Sequence, residues 1–351
     1  MEYSWDLLKI RNSYNEVEQI LKGNLSIDER NKYLDYKCFY LELMSYFDAT
    51  MTDDVSGYNI TNIKREIKRV RWDLSKKENE LCMELLNHFT KDYKEFDFDF
   101  IFEHMPRKES LQLVKEFYMQ LDYSIFDEIK DILNPQKRML YLGDKEYFES
   151  SCYMDFFKGK PYITIYDEEN ILTPLKLVHE IGHAYEFKKN MSFDNDLTIM
   201  NESLCEVTAI FFELLFFDFL KSKGIKQSQI GFAYLELFDN RLNGFIELKQ
   251  MLMTKKMGKR SVNKYINSDS FIVDDNIDVA FNLRYLTSLT IALLFYQQYK
   301  ENKGNALYNL ECFIKKDKTD NFDEILEEGK INIYDSEEVI KQYVKKMNAL
   351  I

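Results

Sequence analysis

Proline and glycine are scarce in this chain, at 4 and 11 of 351 residues. So little turn chemistry excludes a fold of many short strands and implies long helices. Cysteine is neither abundant nor paired. Cys38, Cys82, Cys152, Cys205 and Cys312 are odd in number and lack the spacing of a disulfide framework or a cysteine metal cluster, so they read as buried thiols in a reducing compartment. Long apolar runs are missing too. The most apolar stretch, 207–220, is broken by Glu213 and Asp218 and is too short to span a bilayer. The opening residues, Met1-Glu2-Tyr3-Ser4-Trp5-Asp6, hold no basic region ahead of an apolar core, so a soluble cytoplasmic protein is expected. Basic charge is in deficit, with 47 Lys and Arg against 60 Asp and Glu and a net charge of −13. General nucleic-acid binding needs a basic surface and is excluded on that ground. Two basic clusters, 64–77 and 255–260, do not reverse this. In the first, Ile63, Ile67 and Val70 keep a helical apolar stripe, and its basic residues read as a solvated face.

What is abundant is aromatic: 15% of residues are Phe, Tyr or Trp, enough to fill a large interior. Apolar periodicity predicts helices at 3–22, 27–50, 60–92 and 108–133, closed by Asn134-Pro135. Strands are expected at 139–142, 149–154 and 160–166, the last two joined by a turn at Lys158-Gly159-Lys160. Helices then resume at 173–189, 200–223, 227–253, 276–302 and 335–349. With no internal repeat and no long linker, the expected fold is mainly α and two-lobed. A helical lobe of residues 1–135 faces a second lobe of 136–351 across a deep cleft, with a small sheet beside the cleft, as one compact unit.

The chain has four histidines, His88, His104, His179 and His183, and two of them fall in His179-Glu180-Ile181-Gly182-His183. Residues four apart stack on one face of a helix, so both imidazoles can reach one metal ion, while Glu180 points sideways towards an attacking water. Thr173 is placed to cap this helix and Pro174 suits its first position, with Leu175, Val178, Ile181 and Tyr185 as apolar neighbours.

Catalytic zinc takes three protein ligands and leaves a fourth position open. No histidine follows His183, so the third ligand must be a carboxylate. The apolar segment 201–213 carries Glu202, Glu206 and Glu213, and acidic groups there are costly to bury unless paired or metal-bound. Glu206 and Glu213 lie two turns apart on one face, so Glu206 can bind the metal while Glu213 takes the other ring N–H of a ligand histidine. In the competing register Glu202 is the ligand and Glu206 stands behind it.

These residues resemble the thimet oligopeptidase and oligoendopeptidase F group of zinc peptidases. The resemblance lies in HEIGHA at 179–184, in Glu206 and Glu213 within CEVTAIFFELL, and in a strand, 161–166, just before the metal helix. It spans about residues 145–220, and it selects Glu206 over Glu202. It also implies a downstream helix with tyrosines that stabilise the transition state. The stretch 282–288 matches the core of that helix, with Tyr285 as the last such tyrosine. Where the group has a histidine and an earlier tyrosine, this chain has Asp275 and Asp278. Members of the group are usually longer, which implies a reduced helical lid here.

The resemblance implies a zincin-like fold, one Zn²⁺ per chain on His179, His183 and Glu206, and hydrolysis of short peptides with Glu180 as proton carrier and Tyr285 as oxyanion donor. A peptide could add to the edge of the sheet near Cys152, Tyr153 and Met154. Two rival readings stand beside it. A zinc carboxypeptidase of similar helical architecture is one, and a peptide-binding regulatory protein with weak turnover is the other.

Overall fold

The computed structural model describes residues 4–45, 76–91, 100–143, 150–193, 204–256, 279–316 and 322–349. Two helices open the chain, α1 (Leu7–Leu21) and α2 (Ile27–Ser45). The Asp6 carboxylate caps α1 by accepting from Lys9 N. A reciprocal box starts α2: Ser26 N donates to Glu29 Oε2 at 2.9 Å and Glu29 N to Ser26 Oγ at 3.3 Å.

This hairpin packs on one face of a three-stranded sheet made of β1 (Leu140–Gly143), β2 (Ser151–Asp155) and β3 (Lys160–Tyr166). β3 is central, parallel to β1 and antiparallel to β2. Alternation along the strands divides the sheet between two cores. Leu140, Leu142, Ile163 and Ile165 turn inward to the main core, whereas Tyr141, Tyr153 and Tyr162 meet Trp5, Tyr36 and Tyr40 from the hairpin. The Trp5 indole N–H donates to Ile163 O at 3.1 Å, and the Tyr40 hydroxyl lies 2.8 Å from each oxygen of buried Asp155. The turn from β2 to β3 passes through Gly159 at φ 63°, a conformation that favours glycine.

The remaining helices are α3 (Lys76–Thr90), α4 (Arg107–Leu121), α5 (Tyr123–Ile129), α6 (Leu172–Phe193), α7 (Val207–Ser222), α8 (Gln227–Lys256), α9 (Val279–Glu301), α10 (Lys303–Lys316), α11 (Phe322–Glu328) and α12 (Glu337–Asn348). One continuous apolar core runs from Leu86 and Phe117 through Ile181, Phe211, Phe238 and Leu289 to Met347. α7 lies at its centre, with every residue from Val207 to Phe217 buried. No described helix is long and apolar enough to cross a membrane.

The mainly helical architecture with a small sheet agrees with expectation, and β3 has the expected limits. Some details differ. The helix expected at 108–133 breaks at Asp122, whose extended backbone (φ −164°) ends α4 while its carboxylate accepts from Ser124 N at 2.7 Å to start α5. α10 and α11 occupy a stretch where no helix was expected, and Ala306, Leu310, Phe313 and Ile314 form the buried face of α10. Finally, α6 begins before Thr173. Its hydroxyl is engaged with Asp167 and Glu168 N, and Asn170 Oδ1 instead accepts from Leu172 N at 2.8 Å. Most of the expected helix 60–92, the greater part of both basic clusters, and Glu202, Asp275 and Asp278 lie outside the described residues.

Candidate metal centre

α6 and α7 meet at Gly182, and the contact leaves no room for a side chain. A Cβ built on Gly182 would lie 2.5 Å from Ala209 Cα and 3.0 Å from Ala209 N. This approach brings the start of α7 up against the two histidines of α6. α6 is also held by the buried Tyr118 hydroxyl, which donates to Val178 O at 3.0 Å. Glu206 occupies the N-cap position of α7, yet its side chain makes no capping bond and turns to the histidines instead.

Three atoms converge there. His179 Nε2 and His183 Nε2 are 3.1 Å apart, and Glu206 Oε2 lies 3.2 Å from the first and 3.3 Å from the second. Ligand atoms around a tetrahedral zinc, with bonds of about 2.0–2.1 Å, sit about 3.3 Å from one another. The triangle therefore has the edge lengths that the metal would impose. Glu206 Oε2 is also buried and close to both rings without a well-directed hydrogen bond. A cluster held together by its own hydrogen bonds would satisfy that oxygen, whereas a metal site leaves its lone pair for the ion. Two imidazoles and one carboxylate form a donor set that zinc accepts.

Behind this triangle stands Glu213, two turns along α7. Its Oε1 is 2.6 Å from His179 Nδ1, which fixes that ring with Nε2 towards the other two groups. The same oxygen accepts from Arg241 Nη2 of α8 at 2.7 Å, and Oε2 lies 2.9 Å from that nitrogen. Arg241 in turn faces the ring of Tyr285 on α9, with its Cζ 5.6 Å from the ring centroid.

The charges follow from this geometry. Burial disfavours an ionised Glu213, but Arg241 and His179 outweigh it and bring the carboxyl down to about 2. Burial likewise opposes the charge on Glu206, and His183 and His179 hold it well below the usual carboxylate range. Desolvation acts against a charged His179, yet Glu213 and Glu206 raise it to about 10. Glu180 behaves differently. It is buried beside the histidines, and loss of solvation lifts its carboxyl above the ordinary value. For Tyr285, burial and the field of Glu206 push the phenol well above its usual range and keep it a hydrogen-bond donor.

His179, Glu180, His183, Glu206 and Glu213, all singled out in the sequence, thus come together at the contact of α6 and α7. Tyr285 reaches the cluster through Arg241. Arg241 itself was not anticipated. Its signal was available: Tyr234, Phe238 and Phe245 form a buried helical stripe at i, i+4 and i+11, and a cation stands on that stripe at i+7.

Solved structures place the architecture. A structure designated oligoendopeptidase F from Bacillus anthracis aligns with 96% of this chain at a TM-score of 0.58 and 12% identity. The chain has the oligoendopeptidase F fold. A structure designated a peptidase from Chlamydophila abortus aligns with 98% of it, at a TM-score of 0.51 and 15% identity. PZ peptidase A, solved with an inhibitor, also aligns with 98%, at a TM-score of 0.52 and 12% identity. The chain spans 69%, 63% and 71% of the length of those three chains respectively. No family sequence model and no curated protein sequence matches the chain.

Proposed function

We propose that this protein is a zinc-dependent peptidase that hydrolyses peptide bonds in short peptides, in the manner of the oligoendopeptidase F and thimet oligopeptidase group. The observation that carries the reading is the triangle of His179 Nε2, His183 Nε2 and Glu206 Oε2, with edges of 3.1, 3.2 and 3.3 Å. His179, His183 and Glu206 would hold one Zn²⁺ per chain, and zinc when bound supplies the Lewis acidity that acidifies water and polarises a scissile carbonyl.

The chain's own groups perform the rest. Glu180, with its carboxyl raised by burial, takes a proton from the attacking water and delivers it to the leaving amine. The Tyr285 hydroxyl donates to the oxygen on which negative charge develops, where a positioned donor contributes most. Glu213 keeps His179 in one orientation. β2 is the outer antiparallel strand of the sheet next to α6, and an extended peptide can align along it by main-chain hydrogen bonds near Cys152, Tyr153 and Met154. The likeness to peptidase structures supports a peptide as substrate.

The test is hydrolysis of an internally quenched peptide by the purified protein. Cleavage should be abolished by a chelator and restored by stoichiometric zinc. Release of single C-terminal residues without internal cleavage would instead favour a carboxypeptidase, and tight peptide binding without cleavage a regulatory protein.

A further inference from the structure

We propose that Arg241 is a positioning residue of the metal centre: it fixes Glu213, through it the His179 ring, and it seats the Tyr285 ring on its flat guanidinium. The inference rests on the zinc-site reading above and extends it to a residue two side chains away from the metal.

The geometry forms one line across four helices. Arg241 Nη2 on α8 lies 2.7 Å from Glu213 Oε1 on α7, and that same oxygen lies 2.6 Å from His179 Nδ1 on α6. All three side chains are withdrawn from solvent, with Glu213 at 4%, Arg241 at 10% and His179 at 12% exposure. Arg241 Nη2 holds the Glu213 carboxylate through both of its oxygens, and breaking such a buried pair leaves an uncompensated charge. Without Arg241, nothing keeps the Glu213 carboxylate on this line. His179 then loses the acceptor that points its Nε2 at the metal. On its other side, Arg241 packs against the Tyr285 ring. That contact needs the planar guanidinium, and the ammonium of lysine does not reproduce it.

The experiment compares full-length wild type, H179A, R241Q, R241K, E213Q and E213Q/R241Q. Zinc affinity is read by competition with a chromogenic chelator, unfolding of the metal-free forms by circular dichroism, and kcat and KM at saturating zinc. R241Q and E213Q should each weaken zinc by about 10- to 100-fold, as loss of a group behind a metal ligand does. Because Arg241 acts through Glu213, the double variant should be no weaker than the weaker single variant. Additive losses would overturn the proposal, and so would wild-type zinc affinity in R241Q.

R241K keeps the charge beside Glu213 and loses the plane under Tyr285, so it should lower kcat while holding most of the zinc affinity. Wild-type kcat in R241K would overturn the seating of Tyr285. Should R241Q fail to fold, E213Q/R241Q decides the matter, since it buries no unpaired charge. Zinc affinity equal to that of E213Q supports the proposal, and a further tenfold loss refutes it. Wild type that takes no more zinc than H179A would sink the metal-site reading itself, whereas zinc-binding wild type matched by R241Q sinks only the role of Arg241.

Discussion

Replacing Gly182 with alanine places a methyl group in the contact between α6 and α7. Its Cβ would stand 2.5 Å from Ala209 Cα and 3.0 Å from Ala209 N, both backbone atoms in the buried part of α7. Carbon atoms in good contact are about 3.5–4.0 Å apart, so the two helices must separate by about 1 Å. Overpacking of this kind costs about 1–3 kcal/mol, and the better helix propensity of alanine offsets about 0.5–1 kcal/mol of it. In a protein of this size that shifts the melting temperature by only a few degrees. The metal centre is far more sensitive. Glu206 moves with α7 and the histidines with α6, so edges of 3.2 and 3.3 Å would open by about as much as the helices separate, against a tolerance of about 0.2 Å in metal–ligand bonds. Zinc affinity in G182A should therefore fall by about 100-fold or more, equivalent to about 2.8 kcal/mol. The control is G304A, where a Cβ meets only Asn302 Oδ1 at 3.7 Å and zinc affinity should not change. Chelator competition on both variants measures this directly. Wild-type zinc affinity in G182A would refute the claim that close approach of the helices sets the site.

The other predictions separate metal binding from chemistry. Glu180→Gln should keep its zinc and lose about 10²- to 10⁴-fold in peptide hydrolysis, because it removes the proton carrier and no ligand; wild-type turnover would exclude Glu180 from that role. Tyr285→Phe should hold zinc content and KM near wild type while kcat drops about 10²- to 10³-fold, the loss typical of one oxyanion donor, and an unchanged kcat would make Tyr285 a packing residue. Tyr40→Phe should destabilise the protein by about 1.5–3 kcal/mol, since buried Asp155 loses the hydroxyl placed 2.8 Å from each of its oxygens; an unshifted denaturation midpoint would show that this contact does not anchor the hairpin.

The helix with the two histidines and the pairing of Glu206 with Glu213 were legible because local spacing sets them, while the choice of Glu206 over Glu202 came from the resemblance. His179 and His183 share a face at i and i+4, and Glu206 and Glu213 share one at i and i+7, whatever the rest of the chain does. β3 was legible for a related reason, as an apolar run bounded by a glycine turn. What escaped depends on competition or on distance. At Asp122 a side-chain bond to the backbone of Ser124 overrides a continuous helical pattern. Arg241 shows in the sequence only as a cation on an apolar stripe, and its partner Glu213, 28 residues earlier, emerges only when the helices pack. The approach of Gly182 to Ala209 is likewise a property of two packed helices and is absent from either one alone.

The central claim is that one zinc ion sits on His179, His183 and Glu206. X-ray absorption at the zinc edge, on wild type loaded with one equivalent and on the His179→Ala/His183→Ala variant, tests it most directly. The account predicts a wild-type spectrum of two imidazole nitrogens and carboxylate oxygen at about 2.0–2.2 Å, and no bound zinc in the variant. Thiolate sulfur in the wild-type shell, or full zinc occupancy in the double variant, would contradict it.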